Sequence, residues 1–151
     1  MPEPLILEVL AKHEDLHDCS GLLYVPPENP SQYRATRVYD LVWEGEQSMA
    51  EAFAKDVLID TVGDRWEFGG GSILEGFAFF LEYWMKPGVL DLEQRAILDY
   101  AASHPELAIH LKGLRIRHRI YVFAEGGAND AAFVRDLCNP AIHAWEVRQA
   151  S

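Results

Sequence analysis

Lys112, Arg115, Arg117 and Arg119 make the densest basic cluster in the chain, and the three arginines alternate with Ile116 and His118. In a strand that alternation puts all three guanidinium groups on one face, where each planar fork can pair with a carboxylate or a phosphate. Three readings stand side by side: pairing with a partner, an ordinary solvated strand that resists edge association, and an anion pocket. His13, Asp15, His17 and Asp18 come nearest to a metal-binding set, but without a second ligand pair at a distinctive spacing they read as a polar loop. Neither a Gly-x-x-x-x-Gly-Lys-Ser/Thr loop nor a Gly-x-Gly-x-x-Gly fingerprint occurs, so Gly69-Gly70-Gly71-Ser72 reads as a linker between units. Ser20 and Ser72 lack a nucleophile motif, and Cys138 ahead of Asn139-Pro140 reads as a helix-end core residue. No nucleophile, base and oxyanion site are nominated together, and no cofactor or metal is expected.

The elements that must position these residues are clearest from Phe77 to Val122. Phe79-Phe80-Leu81-Glu82-Tyr83-Trp84-Met85 reads as a strand ended by Lys86-Pro87-Gly88, where Pro removes a donor and Gly relaxes the backbone. Asp91 is placed to cap a helix with Gln94 at its third position, and Leu92, Ala96 and Tyr100, widened by Ile97 and Ala101, supply an apolar stripe. Leu111 to Ala124 then alternates as a long strand, in which His118 falls on the apolar set. Phe77, Phe79, Phe80, Tyr83 and Trp84 read as sheet core and subunit contact in preference to a ligand cavity.

The first half is organised similarly. Pro4 to Ala11 reads as a strand, Leu16 to Tyr24 as a short helix or irregular turn, and Ala35 to Glu44 as a strand. Pro26, Pro27 and Pro30 mark a loop, Ser48 with Glu51 forms a capping box ahead of Phe53, Ala54 and Val57, and Asp64 to Phe68 closes as a strand. Arg37-Val38-Tyr39 aligns with Arg119-Ile120-Tyr121, Leu7-Glu8 with Leu81-Glu82, Ala52–Val57 with Ala132–Leu137, and Trp66-Glu67 with Trp145-Glu146. This repeat divides the chain into a degenerate first unit (1–68), a linker (69–76) and a more complete second unit (77–151), which bury their apolar faces together. The expected class is α+β: two ferredoxin-like or similar units forming a pseudo-dimer of antiparallel sheets, with helices on the outside.

Composition bounds the partners. Thirteen basic against 24 acidic residues leave a formal charge of −11, a field that repels nucleic acid and anionic membrane. The acid is concentrated in the first half: residues 1–75 hold 5 basic and 15 acidic residues, and residues 76–151 hold 8 and 9. Two cysteines without metal or redox spacing fit reduced thiols and a cytoplasmic location, and no apolar run approaches the roughly 20 residues of a membrane-spanning helix.

Met85-Lys86-Pro87-Gly88-Val89-Leu90-Asp91, continuing through Glu93-Gln94-Arg95-Ala96, resembles the small subunit of phosphoribosylformylglycinamidine synthase. Lys112 to Tyr121 resembles that family's later basic strands, and Asp136 to Ile142 with Trp145-Glu146-Val147 resembles its last helix end, Asn-Pro turn and closing strand. The resemblance spans Phe79 to Val147, while Lys12-His13-Glu14-Asp15-Leu16 in the first copy lacks the Pro-Gly turn. It implies a non-catalytic subunit that forms dimers and bridges the glutaminase and ATP-dependent synthetase parts of a purine-biosynthetic complex. It also implies partner contacts at Lys86, Pro87, Gly88, Asp91, Lys112, Arg115, Arg117 and Arg119. The related single-chain synthases carry an N-terminal region resembling a fused pair of such subunits, with which a tandem chain accords. A small-molecule-sensing α+β domain is the alternative, and self-association is compatible with either.

Overall fold

The computed structural model describes residues 4–150. Seven strands and four α-helices are present among them, in an antiparallel α+β arrangement. The strands are β1 (Leu5–Ala11), β2 (His17–Asp18), β3 (Gln32–Trp43), β4 (Asp64–Phe68), β5 (Phe79–Met85), β6 (Leu111–Phe123) and β7 (His143–Gln149). The helices are α1 (Gln47–Val57), α2 (Leu92–Ala102), α3 (Pro105–Ala108) and α4 (Asp130–Leu137). β1 pairs with β3 and β4, β2 with β3, and β5 with β6 and β7, all antiparallel. Among the described residues, no helix is long and apolar enough to cross a membrane.

Two compact units result, and each draws on both halves of the sequence. The first consists of residues 1–13, 37–73 and 90–116; the second consists of residues 14–36, 74–89 and 117–151. In the first unit β1 lies between β4 and β3, with Leu7 opposite Tyr39 on one side and Phe68 on the other. Its core joins Leu7, Tyr39, Leu41 and Phe53 to Ala101, Leu111, Leu114 and Ile116, so α2 and the start of β6 complete a layer begun by residues 5–59. In the second unit β5 lies between β6 and β7, with Leu81 opposite Ile120 and Val147. Its core joins Phe79, Leu81, Ile120, Val122 and Phe133 to Cys19 and Leu23 from the first half of the chain.

Pairing also corrects the repeat by one residue. Leu7 and Leu81 face Tyr39 and Ile120, so Tyr39 corresponds to Ile120 and not to Tyr121. A one-residue slip exchanges strand faces, which is why Tyr39 joins a helix-covered core whereas Tyr121 lies among charged side chains.

Local signals were followed unevenly. Asp91 caps α2, accepting from the amides of Glu93 and Gln94 at 3.1 and 3.2 Å. Gln94 does not bond back to the cap; its side-chain amide donates to the Leu114 carbonyl. The Ser48 capping box does not form, because α1 begins at Gln47 after an extended Glu46 that makes no side-chain cap bond. Gly45 sets that entry: its φ is +128°, and a Cβ there would meet His110 Nδ1 at 2.8 Å. Of the expected apolar stripe of α2, Ile97 and Ala101 face inward together with Leu98, whereas Leu92, Ala96 and Tyr100 are exposed. Leu111–Phe123 is one unbroken strand of 13 residues, and β3 begins three residues earlier than the Ala35 start expected from its sequence. The Gly69–Ser72 linker is anchored at both ends, since the Gly69 amide donates to Ile6 O at 2.9 Å and the Ile73 amide to Glu8 Oε1 at 3.0 Å.

The Asp91 cap generates a direct test. Replacing Asp91 by Ala is expected to cost about 1 kcal/mol of stability, read as a lower urea midpoint at unchanged slope. An unshifted midpoint would show that the cap contributes nothing.

Candidate functional site: a carboxylate between two arginines

The sequence-marked basic residues separate into two environments. Lys112 and Arg115, in the first unit, are exposed. Arg117 and Arg119, in the second, converge on Glu82 of β5, which pairs with β6 so that Glu82 stands opposite Arg119. Arg117 Nη1 lies 3.0 Å from both carboxylate oxygens of Glu82. Arg119 closes a second fork on the same group, Nε at 2.9 Å and Nη2 at 2.8 Å from Oε2. Glu82 is 2% and Arg119 4% exposed. One carboxylate therefore meets two guanidinium groups, and Arg119 also lies against a π face and a hydroxyl.

Those neighbours are aromatic. The Arg119 guanidinium carbon sits 4.3 Å from the Phe80 ring centroid, and its Nη1 donates to the Tyr121 hydroxyl at 3.0 Å. Phe77 packs edge-on against Tyr121 with centroids 5.0 Å apart, and Arg148 reaches the Phe80 ring from the other side of β5 at 5.8 Å. Fork geometry and cation–π contact together replace the water that a buried guanidinium gives up. The site can hold charge: Arg117 Nη1 and the Arg119 guanidinium already have acceptors within the chain, while the buried Arg117 Nε has no hydrogen-bond partner.

Lys86, Pro87 and Gly88 form a turn that is locked to its own unit. The Val89 amide closes the turn on Lys86 O at 3.1 Å, and Gly88 has φ +87°, a conformation that favours glycine. Lys86 donates through its backbone to Ile142 O at 2.8 Å and through Nζ to Pro140 O at 2.6 Å, which ties the Lys-Pro-Gly turn to the Asn-Pro turn. Asp91, next along the chain, is the helix cap already described. In the first unit Arg37 pairs with Glu93.

The polar loop at the start of the chain serves local structure. Asp18 Oδ1 accepts the Ser20 amide at 2.9 Å, and His17 packs on Tyr33 with centroids 5.3 Å apart. His118 stacks on Tyr83 at 5.3 Å, and His143 meets the same ring edge-on at 5.1 Å. Cys138 is covered, and burial pushes its thiol up to about 11, away from thiolate chemistry at neutral pH. Cys19 is fully buried and its thiol is raised by the same cause.

A separate cavity of about 440 Å³ lies in the second unit, with Phe133, Leu23, Pro26 and Ala132 among its walls and Asn29 and Asn129 as polar lining. Asp136 fixes one wall, accepting the Tyr24 amide at 3.1 Å and the Arg135 guanidinium at 2.9 Å. The hydrogen bond from Arg135 holds the Asp136 carboxyl below its ordinary range, so the latch is complete at neutral pH and weakens as acid protonates it.

Glu82 was the residue the sequence did not mark. Its signal was a lone carboxylate in an otherwise apolar strand, at the position where Glu8 interrupts β1. No protein-family model, curated protein or solved structure matches this chain.

Removing the shared carboxylate takes a buried ion-pair partner from both Arg117 and Arg119. Glu82→Ala is expected to destabilise the fold by roughly 3–5 kcal/mol, whereas Glu146→Ala, which removes a half-exposed acid on β7, should shift stability by less than about 0.5 kcal/mol. Chemical denaturation of the two variants side by side checks this, and equal losses would remove Glu82 from its central place.

Proposed function

We propose that this chain is a non-catalytic assembly module of a phosphoribosylformylglycinamidine synthase complex, in which it positions glutaminase and ATP-dependent synthetase parts. In this reading the two units are ferredoxin-like and make a pseudo-dimer within one chain, and glutamine hydrolysis, ATP use and ammonia transfer take place on the partners. The observation that carries it is the run from Lys86 to Ala96. The residues that resemble the family's turn and helix form a turn with Gly88 in a left-handed conformation, then a helix capped by Asp91. Leu90 and Leu92 project from this run into solvent. A rigid turn opening onto exposed leucines suits protein contact better than catalysis. Lys112 and Arg115 remain on the surface as polar contacts, while Arg117 and Arg119 act by shaping the strand that precedes Tyr121.

One observation favours a second reading, a small-molecule-sensing domain: the cavity above Phe133 has the size and mixed lining of a ligand site. The two readings diverge in solution. Mixing the chain with glutaminase and synthetase subunits of such a synthase should yield a co-sedimenting complex and raise glutamine-dependent synthase activity; no complex and no activity gain would refute the assembly role. Calorimetric titration of the isolated chain with amino acids and purine intermediates should be silent if assembly is its task. Saturable micromolar heat, lost when Ala132→Trp fills the cavity, would establish sensing.

A further inference from the structure

Helix α2 carries apolar residues on two faces, and the first unit covers only one. Ile97, Leu98 and Ala101 pack into the core, while Leu92 is 74% and Tyr100 45% exposed, with exposed Ala96 between them. Leu92, Ala96 and Tyr100 are a single row at spacing i, i+4, i+8. The adjoining row is Arg95, Asp99 and Ser103, also exposed, with Arg95 Nε 3.3 Å from Asp99 Oδ1. Solvent thus meets an apolar ridge with a small residue at its midpoint, running beside one cation and one anion.

We propose that this face docks a second copy of the chain, α2 against α2, antiparallel about a two-fold axis. The pattern is self-complementary, and that identifies the occupant. A two-fold axis requires every contact to be made twice by the same surface. Reversing the helix direction sets Leu92 of one copy against Tyr100 of the other at both ends of the contact, and Ala96 against Ala96 at the axis. The alanine pair permits the close approach of about 8–10 Å at which i±4 ridges interdigitate. The same reversal brings Arg95 of each copy toward Asp99 of the other, so two pairs now closed within single helices become two pairs across the contact. A row with both residues of one sign would repel its own copy; this row attracts it. The inference stands independently of the assembly reading, since it requires only the exposed helix.

Sedimentation velocity of the full chain over a concentration series tests it. The wild-type chain is expected to move from one to two chains per particle as concentration rises, and Leu92→Asp should weaken that association by about ten-fold or more. Arg95→Asp makes the row acidic and Asp99→Arg makes it basic. Each variant alone should stay monomeric, and an equimolar mixture should regain association as a mixed dimer. Both side chains are more than 60% exposed, so circular dichroism should show an unchanged fold. A wild-type chain that remains monomeric throughout overturns the proposal, as does association indifferent to either reversal or a mixture no tighter than its components. Capture of this face by a synthetase or glutaminase subunit, without self-association, also overturns it.

Discussion

Neither half of the sequence can close a core from its own residues. The first unit takes β1, the end of β3, α1 and β4 from residues 5–68, yet Ala101, Leu111, Leu114 and Ile116 from the other half complete its apolar layer. The second takes β5, the end of β6, α4 and β7 from residues 79–149, and is completed by Cys19 and Leu23. A small α/β unit cannot cover its sheet without a helical layer, and here each layer is made partly by distant sequence. Degeneracy of the first copy therefore has a structural counterpart: where the second half has α2 and α3 between its first two long strands, the first half has only β2, a 3-10 turn at Cys19–Gly21 and a proline loop. The shorter insert fills the second unit and the longer one the first. Such exchange demands long-range contacts before either core is complete, a topology that slows folding.

Within the second unit, the arrangement turns on Glu82. Desolvating two guanidinium groups and a carboxylate costs several kcal/mol each, and only good geometry offsets it. That geometry follows from the antiparallel register of β5 with β6, which puts Glu82 opposite Arg119 and lets Arg117 reach the same carboxylate from two residues away. A one-residue slip would send Glu82 to the helix-covered face and break its pairs with both arginines, so the network fixes register as well as charge.

How much of this was legible depends on the range of the interaction. The Phe79–Met85 strand segment, the Lys86-Pro87-Gly88 turn and the Asp91 cap are written in local residue types, and all three are where the sequence puts them, whereas β3 starts earlier than Ala35 and β2 falls where a short helix or turn is expected. Alternation along Leu111–Phe123 correctly grouped Arg117, Arg119 and Tyr121 on one face. It could not say whether that face is wet, because the answer lies in Glu82, 37 residues from Arg119 along the chain. Helical periodicity has the same blind spot. On α2 the stripe Leu92–Ala96–Tyr100 widened by Ile97 and Ala101 is right only in its widening, because Leu114 of β6 offers a carbonyl to Gln94 and turns the helix so that Ile97, Leu98 and Ala101 face the core. The repeat misled by one residue for a related cause: matching Tyr39 to Tyr121 maximises identity, whereas pairing to β1 and β5 equates positions by face.

These two outcomes bear on function in opposite ways. Pairing of the half-buried Arg117 and the buried Arg119 with Glu82 occupies charge that alternation alone offers to a partner, so the exposed basic residues of that run are Lys112 and Arg115. Exposure of Leu92 and Tyr100 adds apolar surface where helical periodicity expects core. The weight of exposed side chains in this run thus shifts from its basic strand to its helix, and from charged to largely apolar. The shift also separates two properties that surfaces often confound. The inner row of α2 is tied to stability through Ala101 and Leu98, while the outer row can change without opening the core.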